Sequence, residues 1–308
     1  MIRIGLVGVG KIAHDQHIPA ITADPRFDLV AAASRSKPDL GEGVAVFHDI
    51  AEMLAEGPDL DAVALCTPPQ ARRETALAAL RAGKHVFLEK PPGATVSEVA
   101  ELAAVAREQG VVLFTSWHSR FAAGVPQAKA WLAKNPVRTL SIEWREDVRR
   151  WHPGQTWIWQ AGGMGVFDPA INALSILTEI MPDEVFVTNA KLRVPENVQS
   201  PIAGHLDMTT LNGATITADL DFLQTGPQTW DITAWSDAGE LKLSLGGAEL
   251  TIDGQAVEIG ENREYPGLYD RFATLIAEGR SEVDARPLTL VADAFMVGTR
   301  EVVEPFIE

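Results

Sequence analysis

The chain opens on a short apolar run, Ile2–Val7, which stops at Gly8-Val-Gly10-Lys11-Ile12-Ala13 and leads into a helical stretch. Strand, glycine turn and helix at this spacing constrain the fold more than any other feature. Gly8 permits a tight turn, Gly10 lets a phosphate approach the backbone, and Ala13 lets the helix lie close on the strand. Lys11 and Ile12 begin the helix, whose free N–H groups attract an anion. Alone the motif is weak, because a merely structural glycine turn looks the same; its context strengthens it. Similar runs recur at Phe27–Ala33, Ala62–Cys66, His85–Leu88 and Val111–Phe114. Runs too short for helices and apolar on both faces suit a buried parallel sheet. Between them Asp49-Ile-Ala-Glu52 and Thr95-Val-Ser-Glu98 read as capping boxes, and Gly83 and Gly110 fall where helices should end. The alternation predicts an α/β domain, a doubly wound Rossmann sheet over residues 1–120 that binds a dinucleotide.

Beyond that point the texture changes. Thr139–Glu146 alternates polar and apolar residues, and Phe167–Ile180 is apolar at helical spacing. From Glu184 to Ile259, alternating runs are separated by Asn212-Gly213, Asp237-Ala-Gly239, Gly246-Gly247 and Asp253-Gly254, which are hairpin signals. Residues 121–308 are therefore expected to form an α+β domain with a largely antiparallel open sheet. Tyr265–Glu278 and Leu288–Val303 read as closing helices. No low-complexity linker separates the halves, so they are expected to pack together.

Composition narrows the partners. Lysine and arginine number 26 against 42 aspartates and glutamates, for a net charge of −16. Nucleic acid and anionic membrane both favour a basic face, so neither is expected as a partner. One cysteine, Cys66, permits no internal disulfide and fits a reducing compartment. No apolar run approaches the ~20 residues of a membrane-spanning helix, and the start lacks the apolar core of a secretory signal. A cytoplasmic protein is expected.

The end of the second run, Ala33-Ser34-Arg35-Ser36-Lys37, lacks the carboxylate that usually accepts a ribose 2′-hydroxyl. Ser34 and Arg35 instead suit a 2′-phosphate, although Arg35 and Lys37 also read as solvated loop charges. NADP is favoured, with NAD use retained. The third run ends in Cys66-Thr67-Pro68-Pro69 and the fourth in Glu89-Lys90-Pro91, both at strand ends where such sheets bind ligands.

These motifs, above all Ala82-Gly-Lys-His-Val-Phe-Leu-Glu89-Lys90-Pro91, resemble the glucose–fructose oxidoreductase/inositol dehydrogenase (Gfo/Idh/MocA) family. The resemblance implies a nicotinamide-dependent oxidoreductase with Gly8, Gly10, Lys11, Ile12, Ser34, Arg35, Cys66, Thr67, Pro68, Glu89 and Lys90 against the cofactor. Lys90 would stand beside the nicotinamide and the reacting carbon. It also implies pairing of chains through the open face of the second sheet, as a homodimer or homotetramer.

The family's usual pattern in the second half is an aspartate followed four residues later by a histidine. Here Asp168 is followed by Asn172, on one helix face at that spacing. Asn172 cannot take a proton, so the base is Asp168 or Lys90. Asp168 also reads as a helix cap, since Pro169 suits a first helical position. Trp117-His118-Ser-Arg, Arg150-Trp151-His152-Pro-Gly-Gln-Thr-Trp-Ile-Trp159 and Phe167-Asp168-Pro-Ala-Ile-Asn172 resemble the family's aldose 1-dehydrogenases, which act on D-galactose and L-arabinose. Tryptophan faces suit the C–H side of a sugar, and Glu, His and Gln suit its hydroxyls, although many of the tryptophans will simply pack in cores. Carried over by position, Lys90, Glu146, His152, Asp168 and Asn172 bind hydroxyls, and His118, Trp151 and Trp230 line the pocket. A non-catalytic sugar sensor and a cyclic-polyol dehydrogenase are the rival readings. His14 and His17, three residues apart, gather no carboxylate cluster in the sequence, and no metal site is expected.

Overall fold

In the computed structural model, which describes residues 1–308, the opening strand β1 (Ile2–Val7) lies inside a six-stranded parallel sheet. It is joined there by β2 (Phe27–Ala33), β3 (Ala45–Phe47), β4 (Ala62–Leu65), β5 (His85–Leu88) and β6 (Leu113–Thr115), in the order β3-β2-β1-β4-β5-β6. The order reverses between β1 and β4, the crevice in which doubly wound sheets bind ligands. All four residues of β4 are buried, as a strand covered on both faces requires. The crossovers contain α1 (Ile18–Ala23), α2 (Ile50–Glu56), α3 (Pro69–Arg81) and α4 (Val96–Gln109).

Both expected capping residues hold their helices. Asp49 Oδ1 accepts the Glu52 N–H at 2.9 Å, and Thr95 Oγ1 accepts the Glu98 N–H at 3.2 Å, each stabilising its helix by about 1 kcal/mol. The glutamate arms reach one residue before the cap, to the N–H groups of His48 and Ala94. β6 starts at Leu113 rather than Val111, because His85 Nδ1 takes the Val112 N–H at 2.9 Å. The three-residue β3 is too short to show in the sequence pattern. The helix after Gly10 opens as a π-helical segment, Ala13–His17, before α1.

The second sheet has nine strands. β7 (Val137–Arg145) is central, followed by β8 (Val185–Pro195), β9 (Ala203–Thr210), β10 (Thr215–Asp221), β11 (Thr229–Ser236), β12 (Gly239–Ser244), β13 (Glu249–Ile252), β14 (Gln255–Ala256) and β15 (Thr299–Val303). Their order is β14-β13-β12-β11-β7-β10-β9-β8-β15. Only β7 with β10 and β8 with β15 run parallel. Along β7, Leu140, Ile142 and Trp144 are buried while Thr139 and Glu143 are exposed, the alternation of a sheet covered on one face. Preceding β8 are α5 (Val125–Leu132), the short α6 (Val148–Trp151) and α7 (Phe167–Ile180). After β14 come α8 (Glu264–Glu278) and α9 (Arg286–Val297). The run Leu288–Val303 is not one helix: it is most of α9 followed by the edge strand β15.

The chain forms two units, Met1–Trp117 with Tyr265–Ala285, and His118–Glu264 with Arg286–Glu308. This differs from a single division after residue 120, because α8 returns to the first unit. Its apolar face carries Tyr265, Leu268, Tyr269, Phe272 and Leu275, all buried. Tyr269 stacks on Phe87 at 5.2 Å and Phe272 lies edge-on to Phe87 at 5.5 Å. The chain then extends β6, with Thr115 N–H donating to Glu282 O and Glu282 N–H to Leu113 O, both at 3.0 Å.

Candidate active site

In the first unit the glycine turn is a phosphate cradle. Gly8 has φ +88°, and a Cβ there would lie 2.9 Å from Thr67 N and 3.0 Å from the Cys66 carbonyl carbon. Only glycine lets β1 end so close to the end of β4. A Cβ on Gly10 would meet nothing within 4 Å, so the backbone there stands open to a ligand. Beyond it lie Lys11 and Ile12, at the helix start where N–H groups have no internal acceptor. Thr67 Oγ1 and Ser116 Oγ, just beyond β4 and β6, are buried without a hydrogen-bond partner. The orphaned Thr67 hydroxyl, on the residue that crowds Gly8, fits a polar ligand such as a dinucleotide. Pro68 precedes α3, which begins at Pro69.

The 2′ end of that cradle is uncommitted. Ser34 Oγ lies 3.1 Å from Ser36 Oγ. Arg35 is exposed and in no ion pair, whereas Lys37 sits 3.6 Å from Glu52. Arg35 is thus the cation available beside Ser34.

Lys90 follows β5 in a loop held from both sides. Arg72 of α3, 2% exposed, donates through its guanidinium to the carbonyls of Thr67, Glu89 and Pro91. Glu89 is buried. Its carboxylate accepts the Lys90 backbone N–H and the Tyr265 hydroxyl, the latter at 2.5 Å. His17 Nε2 lies 3.5 Å from Glu89 Oε1, and His17 Nδ1 lies 2.8 Å from the Tyr269 hydroxyl. Burial works to lower the His17 imidazole, but Cys66, Tyr269 and Glu89 reverse this and hold it above its ordinary value. Burial pushes the Tyr269 phenol up to about 12. His17 is therefore a core residue in a buried network, and His14 is exposed. Sequence reasoning missed Arg72 and Tyr265, whose signal was only a charged or polar residue inside an apolar helix face.

The second unit gathers the other predicted residues. Glu146 follows β7 and is 2% exposed. Its Oε1 lies 3.1 Å from His152 Nε2, and its Oε2 accepts the Trp230 Nε1–H at 3.0 Å. His152 Nδ1 lies 3.5 Å from Asp168 Oδ2. One imidazole thus stands between two buried carboxylates. Asp168 is not the cap of α7: the helix begins at Phe167, so Asp168 lies in its first turn, where the helix dipole favours a negative charge. Asn172 is one turn further on, half-buried, with no hydrogen bond from its side-chain amide to the protein. Trp151 and Trp230 meet at 5.2 Å between ring centres, and Trp144 supports Trp230 at 6.1 Å.

Two other tryptophans are packing residues. Trp117 is buried, and Trp159 packs on Phe222 and Phe306. His118 is tied by Nδ1 to Glu264. Burial works to raise the Glu264 carboxyl, but the His118 hydrogen bond and charge, with Asn262, hold it below its usual value.

Residues 2–116 match the model of the Gfo/Idh/MocA oxidoreductase family, NAD-binding Rossmann fold. The chain is 47% identical over 307 residues to the galactose 1-dehydrogenase of Pseudomonas fluorescens, covering 100% of this chain and 99% of the relative. It is similar to the crystal structure of a D-galactose-1-dehydrogenase from Rhizobium etli, with TM-score 0.94 and 54% identity, over 99% of this chain and 98% of that one. KijD10, a 3-ketoreductase from Actinomadura kijaniata solved with NADP, shares the fold at 21% identity and TM-score 0.84. A phosphate cradle on a 3-2-1-4-5-6 sheet, the Glu89-Lys90-Pro91 loop and full-length likeness to such relatives converge: the chain belongs to the Gfo/Idh/MocA family of oxidoreductases, and its first unit is that family's NAD-binding Rossmann domain.

Proposed function

We propose that the chain is an aldose 1-dehydrogenase acting on D-galactose and L-arabinose. The pyranose loses hydride from C1 and a proton from its anomeric hydroxyl, and leaves as the aldonolactone. The observation that carries this reading is His152 held between Glu146 and Asp168 beside Trp151 and Trp230, in a chain so similar to a galactose 1-dehydrogenase. Bound NADP or NAD supplies the hydride acceptor. Glu146, His152 and Asn172 hold ring hydroxyls, and the tryptophan faces cover C–H groups. His118 lines the pocket. Lys90 hydrogen-bonds the anomeric oxygen, and Asp168 accepts its proton. Arg35 and Ser34 favour NADP without excluding NAD.

L-Arabinose has the C2–C4 stereochemistry of D-galactose and lacks only the C5 hydroxymethyl group. D-Glucose is inverted at C4, which takes one hydroxyl from its partners. A site built to hydrogen-bond a hydroxyl discriminates far more strongly than one that merely loses an apolar contact. Absorbance of reduced nicotinamide, followed with a panel of aldoses and both cofactors, tests the proposal. Galactose and arabinose should both react, and the kcat/KM ratio of galactose to glucose should greatly exceed that of galactose to arabinose. Equal kcat/KM for glucose and galactose would overturn the substrate assignment. No turnover of any aldose with either cofactor would leave a non-catalytic sugar-binding role.

A further inference from the structure

The segment after β15 has no part in the chemistry above, yet in the second unit it is tied to the loop that carries Trp151 and His152. Asn197 holds Phe306 by its backbone, donating from Nδ2 to Phe306 O at 2.7 Å and accepting the Phe306 N–H at Oδ1 at 2.9 Å. The Phe306 ring so placed lies 5.1 Å from the Trp159 ring, and the Arg149 guanidinium stands over it at 5.1 Å. The Glu308 carboxylate accepts the Gly154 N–H at 2.6 Å.

These contacts fall at residues 149, 154 and 159, before, just beyond and well beyond His152. The loop between them has little regular structure: four residues of helix, a turn at Gly154 and a 3-10 segment, Thr156–Trp159. Such a loop holds a side chain to within a fraction of an ångström only if its backbone is fixed from outside. His152 needs that accuracy, since it reaches carboxylates on two different elements, Glu146 after β7 and Asp168 in α7.

We propose that Phe306 and Glu308 form a clasp that fixes the His152 loop and thereby sets the affinity for the sugar. They are positioning residues; neither touches substrate. The inference rests on the reading of Glu146 and His152 as sugar ligands. Phe306→Ala and Glu308→Ala in the full chain should each raise KM for D-galactose roughly five- to tenfold, with kcat and the KM for NADP within about twofold of the parent. Phe306→Trp, which keeps an aromatic face, should restore most of the affinity. Glu146→Gln is the control. If it raises the galactose KM while both alanine variants leave it unchanged, the clasp is wrong and the sugar site stands. If Glu146→Gln leaves the galactose KM unchanged, the sugar site itself is wrong and the clasp falls with it. A fall in kcat and in NADP affinity alongside the KM change would mark general structural support and also overturn the clasp. Glu308 is exposed, so its alanine variant should fold even if that of Phe306 does not.

Discussion

In the proposed reaction the proton work falls to Asp168 and Lys90, which are held in different ways. The Asp168 carboxylate is buried in the first turn of α7, 3.5 Å from an imidazole. Lys90 is fixed through its backbone by Glu89, which Tyr265 and His17 hold in turn. Asn172, one turn beyond Asp168, can orient a hydroxyl but cannot take its proton. Lys90→Ala and Asp168→Ala should therefore each lower kcat by about two orders of magnitude or more. Cofactor binding, read by nucleotide titration, should survive both changes. If Asp168→Ala lost only sugar affinity, Lys90 would be the base. The 2′ end of the cofactor site is a second case decided by single residues. Ser34→Asp would place a carboxylate in the proposed 2′ pocket of Ser34 and Arg35. NADP should then bind more weakly by roughly tenfold or more, with NAD less affected. An unchanged NADP-to-NAD ratio of kcat/KM would reject this pocket.

At the scale of elements, what could be read from the sequence depended on whether the partner was local. β1, β2, β5 and α7 have the bounds read from apolar runs and periodicity, because each pattern answers to a core its own segment reveals. The caps Asp49 and Thr95 were legible for the same reason, since their partners lie three residues away. α8 was legible as a helix but not in its placement. Its Tyr265, Tyr269 and Phe272 pack on Phe87 and His17, nearly two hundred residues or more earlier, and no periodicity records a contact so distant. β15 was hidden inside a helical reading because Val302 and Val303 continue the apolar spacing of α9. The packing of α8 can be tested through Phe272, fully buried between Phe27, Phe87 and Phe114. Phe272→Ala should cost about 3–5 kcal/mol of stability in urea unfolding. A loss below about 1 kcal/mol would mean that α8 contributes little to the first unit.

Across the whole chain the candidate site was legible only in pieces: the family resemblance, carried over by position, named Glu146, His152, Asp168 and Trp230, but their meeting depends on the placement of β7, α7 and β11, which spacing does not encode. The same holds for assembly. One face of the nine-stranded sheet is buried, through Leu140, Ile142 and their neighbours, and the other is polar. At its centre Ser141 stands opposite Thr217 on one side and Thr233 on the other. In the next rung Glu143 stands between Asp219 and Asp231. All three carboxylates have partners: Arg145 donates to Glu143 at 3.3 Å, Lys242 lies 2.7 Å from Asp231, and His205 Nδ1 lies 2.8 Å from Asp219. The Asp219 hydrogen bond is the main reason that the His205 imidazole is held above its ordinary value. A hydroxyl-lined centre with partly neutralised charge beside it suits a second copy of the same face better than a charged partner, even in a chain of net charge −16. In a two-fold interface one substitution appears twice, so a cation placed at the centre opposes its own copy. Light scattering coupled to gel filtration at micromolar concentration should give a dimer or tetramer for the parent chain. Ser141→Arg should shift it to monomer with an unchanged far-UV spectrum. A monomeric parent, or an association indifferent to Ser141→Arg, would move the interface away from this face.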